Sequence, residues 1–209
     1  MKKKINEFFY LMFPYKKVSI FIISFFFLSF ILGAVYSNMI SIEDEKIVID
    51  KINLFINNID SNSLVFFSSF KNSLFINLSY LFLICFFGMT ILGVVLNVFL
   101  LFLKGFIIGF SLSSFVISFG YKGLILSSIY LLFGQLLNIF IILSMSSYAI
   151  IFTLRLIELI FKQKNLNFKK NLKLYFLSFS ILIILSCISS LMECYFMPAI
   201  IKLFIKLVI

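Results

Sequence analysis

The chain has 209 residues, 63% of them hydrophobic and 12% charged, with a mean hydropathy of +1.18. So few polar side chains cannot cover such a chain in water, which excludes an ordinary soluble domain. Eighteen Lys and Arg oppose eight Asp and Glu, for a net charge of +10, and there is no His; that removes a His-based triad and a His metal site, and the scattered carboxylates give no dense metal cage.

Uncharged stretches run over 18–42, 72–103, 105–121, 123–154 and 174–192, against about 20 residues needed to cross a bilayer. They predict an all-α, polytopic membrane helix bundle of about five transmembrane helices, with residues 1–209 forming one integral membrane domain. The first stretch follows Lys2, Lys3, Lys4, Lys16 and Lys17. It exceeds the roughly 7–15 residues of a signal-peptide core and lacks a small-residue exit, so it reads as an uncleaved helix. Residues 37–73 form the one sizeable loop on its far side. There Val48, Ile52, Phe55 and Ile59 recur at helical spacing opposite Asp50, Asn53, Asn57 and Asp60. That period predicts an amphipathic helix whose apolar side needs a partner, and a lid lying on its own bundle is the simplest one. Val48, Ile52, Phe55 and Asp60 are the candidate residues for docking a partner protein.

The second and fourth stretches hold 32 residues each, or roughly 48 Å of helix against a hydrocarbon core of about 30 Å. One or two broken or re-entrant segments are therefore expected. In the second stretch Gly88, Gly93 and Asn97 are candidate helix ends, leaving 94–103 as an apolar elbow before Lys104. Next, Gly105 and Gly109 make a G-x-x-x-G pattern, which lets two membrane helices approach closely. An internal neighbour is the simpler partner, and a homo-oligomer is the other. In the fourth stretch Gln135 and Asn138, beside Gly134, mark a polar break.

Charges at membrane depth are costly and need partners, so Lys104, Arg155, Glu158 and Glu193 form a candidate membrane charge network. Arg155 and Glu158, three apart, can pair on one helix face. Glu193 follows Ser189 and Ser190 at the outer end of the last span, where anchoring by helix ends and Tyr hydroxyls competes with ion or proton transport. The 156–173 loop carries Lys162, Lys164, Lys169, Lys170 and Lys173, which suit anionic lipid headgroups and lack the stacking or base-reading elements of nucleic-acid binders. Twelve basic residues then lie on one side, Lys104 among them, against six on the other. The bias predicts N-terminus in and C-terminus out. Cys85, Cys187 and Cys194 show no C-x-x-C spacing and read as packing residues. Lys202 and Lys206, among Ile and Leu, predict a tail along the outer interface. No catalytic or cofactor-binding constellation emerges, and no cofactor is expected.

Three ordered pieces carry a resemblance over nearly the whole chain. They are Leu101-Phe102-Leu103-Lys104-Gly105-Phe106-Ile107-Ile108-Gly109-Phe110, Thr153-Leu154-Arg155-Leu156-Ile157, and Ile188-Ser189-Ser190-Leu191-Met192-Glu193-Cys194-Tyr195 with Pro198. Together they resemble the stage II sporulation protein M family of integral membrane proteins. Gly134-Gln135 with Asn138 is similar to that family's polar break, with Gly where the family carries Pro. The resemblance implies a non-enzymatic membrane scaffold in endospore formation. Its partners would be the peptidoglycan-degrading sporulation proteins D and P, held at the septal and engulfing membrane. A small transporter or channel built on the interrupted helices around Gln135, Asn138 and Glu193 is the competing expectation.

Overall fold

A computed structural model describes residues 16–60, 66–162 and 168–208. These residues are helical apart from short turns. In chain order they form α1 (Lys16–Tyr36), α2 (Ile42–Asp60), α3 (Phe66–Gly88), α4 (Gly93–Ile129), a π-helical turn (Tyr130–Gln135), α5 (Leu136–Lys162), α6 (Phe168–Leu191), a second π-helical turn (Met192–Phe196) and α7 (Met197–Val208).

Four continuous helical stretches are long and apolar enough to cross a membrane: Lys16–Tyr36, Phe66–Gly88, Gly93–Phe161 and Asn171–Leu203. The third holds 69 residues and would be roughly 100 Å long if straight, about three times a hydrocarbon core. It is not straight. Gly120 has φ 55° and ψ −127°, a conformation that only glycine adopts without strain, and the chain reverses there. Phe115 and Tyr130 accordingly meet with ring centroids 5.9 Å apart, where an unbroken helix would separate them by roughly 22 Å. A Cβ at Gly123 would overlap the Phe115 carbonyl, so the returning limb begins in backbone contact with the outgoing one. The reversal splits this stretch into two antiparallel limbs and gives five apolar limbs among the described residues. It falls two residues before Lys122, where the sequence places a span boundary.

The expected elbow at 94–103 is a correction. The reversal between the second and third limbs is the short turn Met89–Leu92, and helix continues from Gly93 through Lys104 and Gly105. Gly88 and Gly93 do bound the helices, but Asn97 lies inside α4 and is fully buried. The turn is tight because it is held from outside. The last carbonyls of a helix have no partner in their own helix. Here Tyr175 Oη donates to the Cys85 carbonyl at 2.8 Å and Thr153 Oγ1 to the Gly88 carbonyl at 2.8 Å. Tyr175 also stacks on Phe152 at 4.6 Å, so one ring ties α3, α5 and α6 together. Tyr175→Phe, which keeps the stacking and strands one carbonyl, should lower stability by about 1 to 2 kcal/mol. Thermal unfolding of the purified variant in detergent measures it.

α1 and α4 run parallel in close contact. Phe25 meets Phe102 at 6.2 Å and Tyr36 meets Phe106 at 5.5 Å between centroids. Their interface is a ladder of small residues. A Cβ on Gly33 would overlap the Phe106 carbonyl, one on Gly105 the Ser29 hydroxyl, and one on Gly109 the Phe30 carbonyl. The G-x-x-x-G pattern therefore serves an internal neighbour. α3 lies antiparallel to α6, as the Phe82–Phe179 and Cys85–Tyr175 contacts show. The main core lies between these limbs, around Ile22, Leu81, Ile84, Leu101, Ile141 and Leu182.

Ser41 caps the N-terminus of α2. The Asp44 amide donates to Ser41 Oγ at 3.2 Å, and Ser41 Oγ donates to Asp44 Oδ2 at 2.7 Å. Glu43, Asp44 and Glu45 occupy its first turn, where the helix dipole favours negative charge. Its apolar side rests on the bundle as a lid. Ile59 is buried with Phe115, Leu126, Met197 and Ile201, and Ile52, Phe55 and Ile56 pack against that group.

Candidate functional site: a polar cluster between two π-helical turns

The bundle interior holds a set of amides, hydroxyls and charges in a setting where each must find a partner inside the protein. Its carboxylate is Glu193, in the second π-helical turn. Ser73 Oγ donates to Glu193 Oε2 at 2.6 Å and Asn77 Nδ2 to the same oxygen at 3.4 Å, while Gln135 Nε2 donates to Oε1 at 3.1 Å. Asn77 extends the set, donating to Ser190 Oγ at 3.1 Å and accepting from Asn138 Nδ2 at 2.6 Å. α3, α5, α6 and both π-helical turns thus meet in one hydrogen-bonded cluster. Asn77, Gln135 and Asn138 are 4%, 3% and 2% exposed, and Glu193 is half-buried.

Both π-helical turns have local reasons. A π-helical turn widens the helix by bonding five residues apart. Pro198 has no amide hydrogen, and its ring crowds the carbonyl of Cys194 four residues back; the widened turn just before it relieves that crowding. In the first turn, Gly134 has no side chain to hold it off Met197, whose Sδ would lie 2.9 Å from a Cβ there. The two widened turns thereby touch and bring Gln135 to Glu193. The polar break expected at Gln135 and Asn138 is thus a change of winding inside a continuous helix, with both amides aimed inward. The second interruption, at Glu193, left no comparable mark in the hydropathy, although Pro198 signals it.

Lys104 is a correction. The sequence reading put it in a loop on the inner side, but it lies within α4, only 8% exposed. Eleven residues separate it from Gly93, about 16 Å along the helix, or half the depth of a hydrocarbon core. Its Nζ stands 5.1 Å from the centre of the Tyr80 ring, a cation–π contact that a desolvated ammonium finds favourable. The charge of Glu193 acts on it as well. Removing Lys104 from the loops leaves eleven basic residues on the predicted inner side against six, so the charge bias survives.

Arg155 and Glu158 do not join this cluster. They lie half-buried at the opposite end of α5, where Arg155 Nη1 donates to Asn171 Oδ1 on α6. The four charges expected as one network therefore divide into Lys104 and Glu193 in the bundle interior and Arg155 and Glu158 near the predicted inner surface. Gly105 and Gly109 lie on the α1 interface. Val48, Ile52 and Phe55 are half-buried on the α4-facing side of α2, whereas Asp50, Leu54 and Asn57 are exposed. Asp60 ends the helix, and its side chain lies outside the described residues. Lys162, Lys164 and Lys206 carry side chains outside them too. Ser73 and Asn77 belong to the site and escaped the sequence reading, which named Ser190 only as a sequence neighbour of Glu193. Asn77, an amide inside the uncharged 72–103 stretch, was the available signal.

Cys85 and Cys194 are buried and Cys187 half-buried, all as free thiols. α7 continues from α6 through the second π-helical turn and packs Ile201 beside Ile59, so its first turns lean on the bundle and on α2.

No curated protein and no solved structure matches the chain significantly. The family profile described as stage II sporulation protein M matches residues 22–198, a region that spans α1 to the start of α7 and contains the whole polar cluster. With the membrane-spanning helices, that match makes the chain a sporulation-related membrane protein: it belongs to the stage II sporulation protein M family.

Proposed function

We propose that the protein is a non-enzymatic membrane scaffold. It would recruit the peptidoglycan-degrading sporulation proteins D and P and localise them at the septal and engulfing membrane during endospore formation. The family match across residues 22–198 carries this reading. Two features of the fold support it. The interior carboxylate has both oxygens taken up by Ser73, Asn77 and Gln135, as a structural tie requires. The largest structured surface outside the apolar limbs is α2, held to the bundle by Ile52, Phe55 and Ile59, with Asp50, Leu54 and Asn57 turned outward. Val48, Ile52 and Phe55 then fix the platform, and its outward side, with Asp60 at its end, meets the partner. Confining a hydrolase to the membrane plane raises its effective concentration at the adjacent wall.

The scaffold reading requires α2 on the wall side. In a cysteine-free background, Asp50→Cys should react with an impermeant maleimide in intact cells, and Lys169→Cys only after permeabilisation. A photo-crosslinking residue at position 57 should then capture a wall hydrolase in sporulating cells. Labelling of α2 from the cytoplasm alone, or no hydrolase at position 57 or 54, would sink the proposal.

A second reading, a small transporter or channel, has one observation of its own: two π-helical turns meet at the Glu193 carboxylate, in a bundle that also buries Lys104, a pattern common at functional sites. Ion or proton flux in reconstituted vesicles that Glu193→Gln abolishes would decide in its favour.

A further inference from the structure

A groove of about 420 Å³ separates α2 from α4, lined by Val48, Lys51, Phe55, Phe110, Ser114 and Tyr130 among others. That volume falls in the range of small-molecule and lipid sites, which are mostly apolar with a few placed polar groups. Its depth narrows the occupant. Phe110 lies nine residues from Phe119, about 13 Å down α4 from the reversal at Gly120, so the groove runs from the interface into the hydrocarbon layer. Space open at that depth is filled by protein or by lipid, because water finds no partners on such walls.

The polar groups fit a lipid. Lys51, exposed, is the one charged residue among those lining the groove and offers an ammonium to a headgroup phosphate. Ser111 and Ser114 donate their hydroxyl protons to Ile107 and Phe110 carbonyls at 2.8 Å each, which leaves them as weak acceptors and the walls effectively apolar. Tyr130, the first residue of the π-helical turn that ends at Gln135, closes one side, so the groove borders the polar cluster.

We propose that this groove binds an anionic phospholipid, with one acyl chain between α2 and α4 along Phe55, Phe110 and Phe115 and with the lipid phosphate at Lys51. The lipid would complete the contact between lid and bundle, beside the direct packing of Ile59.

The full-length protein in phosphatidylcholine vesicles containing a minor fraction of phosphatidylglycerol with a photoreactive acyl chain tests this. Crosslinks should concentrate on peptides carrying Phe55, Phe110 and Phe115. Lys51→Gln, on an exposed side chain, should reduce them about fivefold, the weight of one lysine against an anionic headgroup, and leave labelling by the matching phosphatidylcholine probe unchanged. Ser114→Trp should block both probes, and Ser111→Leu repeats that test should the first variant misfold. Uniform labelling of all lipid-facing limbs, indifference to Lys51→Gln, or crosslinks joining Phe110 to a second protein chain would overturn the proposal.

Discussion

Gly109→Ala should destabilise the protein by about 3 kcal/mol, the upper part of the range for overpacking a close-packed interface, and Gly105→Ala should cost less and be rescuable. The two glycines face different obstacles. The new methyl at position 109 would overlap the backbone carbonyl of Phe30, which no change of side chain can remove; at position 105 it would overlap the Ser29 hydroxyl first, with the Phe26 carbonyl 3.0 Å away. Ser29 Oγ donates only to the Phe26 carbonyl of its own helix, at 2.7 Å, a bond that adds little to helix stability. Ser29→Ala alone should therefore be close to neutral and should restore much of the stability lost in Gly105→Ala. It should do nothing for Gly109→Ala. Thermal unfolding in detergent of the three single and two double variants reads this directly. A neutral Gly109→Ala, or equal rescue at both positions, would mean that α1 and α4 are not packed backbone to backbone.

Those glycines were legible because four-residue spacing of small residues has one physical use in a membrane helix. The partner was not, since Ser29 and Gly33 fall in a stretch with Phe, Leu and Ile on every side and no pattern of its own. α2 was legible for the opposite reason: its polar and apolar residues alternate at helical period, so the lid and its inward face followed from Val48, Ile52, Phe55 and Ile59. Lys104 misled. A lysine between apolar runs reads as a loop when charge is taken to mean water, yet a single ammonium can remain at mid-depth given an aromatic face and a carboxylate, here Tyr80 and Glu193. Once Lys104 was placed in a loop, an elbow at 94–103 followed, and the real turn at Met89–Leu92 was passed over. The cluster around Glu193 was half legible. Gln135, Asn138 and Glu193 stand out as polar residues in apolar runs, but their meeting depends on two changes of helical winding. Asn77 and Ser73 join only because α3 happens to pass beside both.

Glu193→Ala should cost about 2 to 3 kcal/mol of stability, less than the 3–5 typical of breaking a fully buried ion pair, because Glu193 is half-buried. Two losses combine. Ser73, Asn77 and Gln135 would each keep a donor aimed at an oxygen no longer present, and Lys104, still buried at mid-depth, would lose the attraction of that negative charge. Glu193→Gln separates them. It keeps the volume and one acceptor oxygen but turns an amide toward donors, so it should fall between wild type and Glu193→Ala. Lys104→Met removes the other charge and leaves Glu193 with its hydrogen bonds, and should cost less than Glu193→Ala. The double variant Lys104→Met with Glu193→Gln should be more stable than the sum of its singles allows, with a coupling of about 1 kcal/mol or more. Unfolding measured on this cycle decides what the cluster is. Coupling of that size means that Lys104 and Glu193 are retained as a pair. Strict additivity would mean that Glu193 serves Ser73, Asn77 and Gln135 alone, and that Lys104 is held by Tyr80.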